Sequence, residues 1–100
     1  MIDFLKEYDI KEETIEKIKE IYSPSILFDL NCNEVECRKI IIFLKSIGIE
    51  NIDILLLYEI DLFFKNMKNV ELAFSKFNIN ELVEQINHDY TEIEKLYYYL

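Results

Sequence analysis

The sequence contains very little of the material that turns and loops require. Its 100 residues include one glycine, one proline, two cysteines and no tryptophan. Hairpin turns and phosphate-cradling loops depend on glycine and proline, so a many-stranded β-protein and a glycine-rich nucleotide loop are both disfavoured. The composition therefore favours helices joined by short connections.

The two cysteines, Cys32 and Cys37, do not form a known metal or redox motif. On one helix they would lie on opposite sides of the axis, since about 3.6 residues make one turn. No Cys-x-x-Cys motif or histidine pair accompanies them, and a zinc site would need two further ligands. We therefore predict no disulfide, no metal and no cofactor, and the cysteine usage favours the reducing cytoplasm.

Basic side chains are scarce relative to acidic ones. Eleven lysines and arginines stand against 20 aspartates and glutamates, which gives a net charge of −9. Residues 46–64 and 77–94 contain no lysine or arginine at all. Such a surface favours solubility and repels phosphate backbones. Long apolar runs and a secretory signal are also missing, so a cytoplasmic protein without membrane contact is expected.

Apolar residues, which make up 51% of the chain, recur at helical spacing. Two examples are Ile40, Phe43, Leu44, Ile47 and Ile79, Leu82, Val83, Ile86. The period is that of a helix and not that of a strand, and it continues to both ends of the sequence. We predict a single all-α domain over residues 1–100.

Capping signals predict where several helices begin. Four pairs match the capping box, in which a short polar residue precedes a glutamate by three positions. They are Asp9 with Glu12, Asn33 with Glu36, Asn78 with Glu81, and Thr91 with Glu94. Ser23 and Pro24 predict a further start, because proline lacks an amide that would be unpaired there. Gly48 predicts the end of a helix over about 34–47.

Three segments repeat one pattern. The triplets that begin at Phe4, Phe43 and Phe74 share a lysine two positions later, and each precedes an isoleucine that opens a second helix. We predict about three degenerate helix–helix–short helix repeats, which form a short right-handed-type α-solenoid or a compact helical array. Chance matches in an isoleucine-rich bundle are the alternative explanation. The predicted repeats cover residues 4–42, 43–73 and 74–100.

The middle segment resembles the repeat of the mitochondrial transcription termination factor family. In that family a leucine-rich helix, a small-residue turn, a second helix and a proline-led short third helix form each repeat. The proline is present here only at Pro24, and Ile60 and Tyr90 occupy the equivalent places. The resemblance rests on residues 43–49, 51–53, 55–58 and 61–63.

This resemblance implies a curved solenoid that binds nucleic acid along a basic concave groove. The acidic runs depart from that pattern, because phosphate binding needs several basic side chains on one face. We therefore expect the family's fold and treat its nucleic-acid ligand as the alternative function. The basic ridge in that alternative would consist of Arg38, Lys39, Lys45, Lys65 and Lys68.

No group of titratable side chains matches a catalytic motif. Glu12, Glu13 and Glu92 lie in predicted first helical turns, where negative charge complements the helix dipole. His88 stands beside Asp89 but has neither a nucleophile nor a second ligand nearby in sequence. We predict a protein without enzymatic activity.

The sequence ends in Tyr97, Tyr98, Tyr99 and Leu100. Three consecutive residues of a helix cannot all face the core, so one or two tyrosines should be exposed. Because tyrosine is common at interfaces, we predict a contact surface here for a protein partner, plausibly a basic one, or for a second copy of the chain. A last helix that folds back over the core is the alternative. The predicted function is a protein-interaction module, and the isoleucine-, lysine- and asparagine-rich composition suggests a bacterial source with an AT-rich genome.

Overall fold

The computed structural model describes all residues from 1 to 100 and contains helices and no β-strand. The α-helices are α1 (Glu12–Ile21), α2 (Pro24–Cys32), α3 (Glu34–Ser46), α4 (Ile52–Tyr58), α5 (Met67–Phe74) and α6 (Ile79–His88). The 3-10 helices are η1 (Asp3–Tyr8), η2 (Ile60–Phe64) and η3 (Tyr90–Tyr99). The predicted all-α helical array is confirmed. None of these helices is both long and apolar enough to cross a bilayer.

Elements that are three places apart in the chain pack against each other. η1 contacts α3, which also contacts α5; α1 contacts α4, and α2 contacts η2. Asn51, which precedes α4, donates from Nδ2 to the carbonyl of Ile86 in α6 at 2.9 Å. The order η1–α1–α2, α3–α4–η2, α5–α6–η3 is therefore that of three stacked units, in a body of 36 × 23 × 21 Å. Counted from helix starts, the second and third units begin at Glu34 and Met67.

One apolar cluster runs through all three units. It contains 28 buried residues, and its largest fully buried side chains are Phe63 and Phe74. Ile2 near the start of the chain and Leu96 near its end are both fully buried. Burial of apolar surface is the main stabilising contribution to such a fold, so both ends take part in holding it together.

Several predicted helix ends are confirmed. Ser23 Oγ accepts a hydrogen bond from the amide of Ile26 at 3.3 Å, with Pro24 as the first residue of α2. Asn78 Oδ1 accepts from the amide of Glu81 at 3.1 Å. Gly48 has a positive φ of 99°. Its amide and that of Ile49 donate to the carbonyls of Lys45 and Leu44 in the last turn of α3. This is the glycine-terminated helix end that the sequence predicted.

The capping box at Asp9 is wrong. Asp9 follows η1 in the left-handed region, and α1 begins with no cap from its own neighbourhood. Instead, Asp53 of α4 accepts from the amide of Lys11 at 3.1 Å and from Thr14 Oγ1 at 2.7 Å. A side chain of the next unit therefore replaces the local cap.

The capping boxes at Asn33 and Thr91 are also wrong. Asn33 precedes α3, but its side chain donates from Nδ2 to the carbonyl of Phe63 at 2.8 Å, far along the chain. The cap of η3 is Asp89, whose Oδ1 accepts from the amide of Thr91 at 3.0 Å. Tertiary contacts decide the partner in the first case, and an earlier helix start decides it in the second.

Candidate interaction site

The four C-terminal residues that the sequence singled out point in different directions. Tyr98 is 87% exposed and Tyr99 is 44% exposed, whereas Tyr97 and Leu100 are partly buried and pack against the core. The ring of Tyr99 contacts those of Tyr98 and Phe77 edge-on, with centroids 4.9 and 5.7 Å apart. We call Phe77, Tyr98 and Tyr99 the C-terminal tyrosine surface.

Tyr97 faces away from that surface toward a group of carboxylates. Its hydroxyl oxygen is buried and has no hydrogen-bond partner. Burial raises the pKa of Tyr97, and the nearby carboxylates of Glu59, Asp61 and Glu94 raise it further. A buried hydroxyl without a partner is uncommon, because an unmade hydrogen bond costs free energy.

Glu59 is the only charged residue in the core. It follows α4 directly, is 8% exposed, and its carboxyl group forms no ion pair and bonds only to the carboxyl group of Glu94. Burial raises the pKa of Glu59 from an ordinary 4.5 to about 7, with further contributions from Glu94, within hydrogen-bonding reach, and from Asp61. Two carboxyl groups this close favour sharing a proton over both being ionised.

Tyrosine rings surround these carboxylates. Tyr58, at the end of α4, stacks on Tyr90 of η3 with centroids 5.6 Å apart and remains 60% exposed. Tyr22 donates its hydroxyl hydrogen to the carbonyl of Leu57 at 2.5 Å. Burial raises the pKa of Tyr22, and the negative charges of Asp61 and Glu59 raise it further. We call the whole group the acidic–tyrosine cluster. It consists of Glu59, Asp61, Glu94, Tyr22, Tyr58, Tyr90 and Tyr97.

No cation of the chain neutralises this cluster. The ion pairs of the protein lie within residues 1–45, apart from one between Lys95 and Glu92 at 2.6 Å. Neither Glu59 nor Asp61 nor Glu94 takes part in any of them. The cluster therefore presents negative potential and aromatic surface together.

Sequence reasoning missed Glu59, although a signal was present. The residue interrupts an apolar stretch that runs from Ile54 to Phe64, with Asp61 as the only other charge. A glutamate in such a stretch is a candidate for burial, but its contact with Glu94 of η3 comes from far along the chain.

Arg38 of the predicted basic ridge is occupied within the molecule. Its guanidinium forms ion pairs with Glu7 and Glu34, the latter at 2.8 Å, and donates to Tyr8 Oη at 3.0 Å. It also lies over the rings of Phe4 and Tyr8, 5.2 and 5.7 Å from their centroids. Hydrogen bonds raise the pKa of Arg38, and the bond to Tyr8 has the largest effect, followed by those to Glu34 and Glu7. We call these five residues the Arg38 group.

The other basic residues are spread among acidic ones. Lys39 pairs with Glu36 at 3.2 Å, and Lys45 pairs with Asp9 at 3.6 Å. Lys68 lines one shallow depression together with Lys39, Glu36 and Glu71, and Lys65 is half-buried just after η2. The structure brings Lys39 and Lys68 together, and it places Arg38 and Lys45 beside η1. This distribution offers phosphate no unpaired basic ridge of five side chains.

The cysteines and His88 lie apart from the cluster. Cys32 is exposed and Cys37 is buried, and both are free thiols. Burial raises the pKa of Cys37 to about 12, so its thiol stays protonated and unreactive near neutral pH. His88 is exposed at the end of α6. No three histidine, cysteine, aspartate or glutamate side chains are placed to hold a metal ion.

No protein-family model, curated protein or solved structure matches the chain. The resemblance to the mitochondrial transcription termination factor repeat therefore stays a prediction.

Proposed function

We propose that this chain is a non-enzymatic protein-interaction module that binds a basic protein in the cytoplasm of a bacterium. The observation that carries the proposal is the acidic–tyrosine cluster, where three carboxylates lie without a cation beside an exposed tyrosine ring. Complementary charge speeds association and selects partners, and tyrosine is a common anchor at interfaces. The proposed kinship with the transcription termination factor repeats concerns the fold and not the ligand.

The acidic character of the second half of the chain supports this proposal. Residues 46–100 contain ten acidic and four basic side chains, and only Lys95 of those four forms an ion pair. A folded monomer gains nothing from leaving so many like charges unpaired, because their repulsion opposes compaction. A basic partner would turn that repulsion into attraction.

Affinity capture tests the proposal. The immobilised chain is incubated with native bacterial lysate at low salt and eluted with rising salt. A partner of high isoelectric point is expected to bind at low salt and to elute early in the gradient. Absence of any protein above a bead control, together with a monomeric sedimentation profile, would contradict the proposal.

A matched pair of variants sharpens the experiment. Asp61→Asn with Glu94→Gln neutralises two exposed carboxylates of the cluster, and Glu13→Gln with Glu81→Gln neutralises two exposed, unpaired carboxylates elsewhere. The first variant is expected to lose the partner and the second to retain it. Equal loss in both would mean that only net charge matters.

The C-terminal tyrosine surface is a second proposed contact, for a protein partner or for a second copy of the chain. Its support is the exposure of Tyr98, which no other part of the molecule covers. Sedimentation equilibrium of the wild type and of Tyr98→Ser tests self-association. If the wild type and the Tyr98→Ser variant are both monomeric, the homodimer is excluded and the surface can bind only a different protein.

A further inference from the structure

We propose that the acidic–tyrosine cluster is a receptor for one arginine side chain presented by the basic partner, with Glu59 as its innermost carboxylate. This inference rests on the proposed function and names the group that the partner inserts.

Two buried groups of the cluster lack a cation or a neutral donor to satisfy them. Glu59, 8% exposed, has only the carboxyl group of Glu94 as a hydrogen-bond partner, and the hydroxyl of Tyr97 has none although it is shielded from water. They belong to different elements, the α4–η2 junction and η3. Buried polar groups are normally paired, because desolvation without a partner is costly. A cationic donor between them would satisfy the carboxylate.

Part of the cluster is accessible from solvent. Asp61 and Glu94 are exposed, and the ring of Tyr58, stacked on Tyr90, is 60% exposed. Two carboxylates and an aromatic face beside Glu59 are therefore available to an incoming side chain. Exposed charges at the entrance steer a cation inward, and a buried one at the end binds it in a region of low dielectric.

The Arg38 group shows how this protein already binds a guanidinium. There, two carboxylates, a tyrosine hydroxyl and two aromatic rings surround the side chain of Arg38. The acidic–tyrosine cluster supplies the same kinds of group: three carboxylates, the unpartnered hydroxyl of Tyr97 as a possible acceptor, and the stacked rings of Tyr58 and Tyr90. What it lacks is the arginine.

Arginine fits such a group better than lysine does. Its planar guanidinium donates to two carboxylates at once and stacks on an aromatic ring, whereas an ammonium is a compact and strongly hydrated charge. Cation–π attraction to an exposed tyrosine adds to the preference. The chain cannot fill the cluster from nearby, since residues 46–64 and 77–94 carry no base and Lys95 is engaged by Glu92 and Gln85.

Binding of arginine should be coupled to proton release. In the free protein Glu59 retains its proton up to neutral pH, and a guanidinium would favour the ionised form. The titratable groups that face it are Asp61 from η2, Glu94 and Tyr97 from η3, and, beyond them, Tyr22 and Tyr58, both near the carboxyl end of α4. All of these are acids, so no base competes for the site. Affinity should therefore rise from pH 6 to pH 8.

Fluorescence anisotropy with labelled hexa-arginine and hexa-lysine peptides tests the inference. At about pH 8, Glu59→Gln is expected to weaken hexa-arginine binding roughly tenfold, and the peptide should bind the wild type more tightly than hexa-lysine. Glu13→Gln is the matched control, since it removes the same charge at the opposite end of α1 from Tyr22. It should change the affinity by less than about twofold.

Tyr58→Ala gives a second route that avoids the core. The ring is mostly exposed, so the variant should fold, and it is expected to weaken hexa-arginine more than hexa-lysine. Equal effects of Glu59→Gln and Glu13→Gln, or equal affinity for the two peptides, would overturn the inference. If a basic partner is still captured in that event, the proposed function stands without this receptor; if neither peptide nor partner binds, both fail.

Discussion

The Arg38 group and the acidic–tyrosine cluster are built from the same kinds of side chain. In the first, Glu7 and Glu34 enclose an arginine of the chain itself; in the second, Glu59 and Glu94 face each other with no cation between them. The first group joins η1 to α3 and so holds the first two units together. The second links Glu59, at the end of α4, to Glu94 of η3, and no cation offsets their repulsion once both carboxyl groups ionise.

This difference separates a structural role from a binding role. A carboxylate group that is filled from within has no capacity left for a ligand, whereas one that is left unfilled lowers stability until a cation or a proton arrives. Sites that bind partners commonly carry such a cost in the free protein. Changing one group at a time tests this difference.

Replacement of Arg38 by alanine should destabilise the fold more than any other change discussed here. It leaves Glu7 and Glu34 without their cation and removes the guanidinium that lies over the ring of Phe4. We expect the thermal midpoint to fall by roughly 5–10 °C, measured by circular dichroism. Lys68→Ala, which removes an unpaired exposed cation, is the control and should change it little. A drop in the control as large as that of Arg38→Ala would mean that general charge balance, and not the Arg38 group, is responsible.

Replacement of Glu59 by glutamine should stabilise the protein at high pH. Since burial, Glu94 and Asp61 raise the pKa of Glu59 to about 7, the folded state holds a proton that the unfolded state releases near 4.5. Stability is therefore complete below about pH 4.5 and falls as pH rises through 7. Glutamine does not titrate, so the variant does not lose stability in this way. We expect its free energy of unfolding to exceed that of the wild type by about 2 kcal/mol at pH 8 and by almost nothing at pH 4.5.

Urea unfolding across this pH range measures the effect. Glu13→Gln, which neutralises an exposed glutamate at the far end of α1, should follow the wild-type curve at every pH. If Glu59→Gln also follows it, Glu59 is not held protonated and the cluster is hydrated instead.

Much of the fold could be predicted from the sequence, because its signals are local. Helical periodicity predicted an all-α array, and Ser23, Asn78 and Gly48 mark helix ends where the structure has them. A cap or a helix end at these positions needs only neighbours within one turn. The repeated phase of Phe4, Phe43 and Phe74 likewise falls in η1, α3 and α5, which stack in that order.

The remaining features depend on contacts between distant residues. Asp53 caps α1 from the next unit and displaces the predicted cap at Asp9, which no local rule could show. Glu59 bonds to Glu94 of η3, far along the chain, and in the same element the hydroxyl of Tyr97 is buried while Tyr98 stays exposed. The sequence predicted that one or two of the C-terminal tyrosines are exposed, but it did not predict the carboxylates beside Tyr97.

Replacement of Glu94 by arginine would supply the cluster with a cation of its own. By analogy with the Arg38 group, the new guanidinium should pair with Asp61 and Glu59 and stabilise the protein by about 1 kcal/mol at pH 8. It should also abolish the loss of stability between about pH 4.5 and pH 7, because Glu59 would ionise at a lower pH next to a positive charge.

Glu81→Arg is the control for this change, since it alters the charge equally on the exposed face of α6. It should affect stability less and leave the pH dependence of the wild type intact. Occupation of the cluster should also reduce binding of hexa-arginine in the Glu94→Arg variant. A protein that is stabilised yet binds the peptide as before would show that the cluster contributes to folding without receiving the partner. If the Glu94→Arg variant loses both hexa-arginine binding and the pH dependence of stability, the acidic–tyrosine cluster binds a guanidinium as the Arg38 group does. The difference is then that the Arg38 group uses an arginine of the chain and the cluster uses one of the partner.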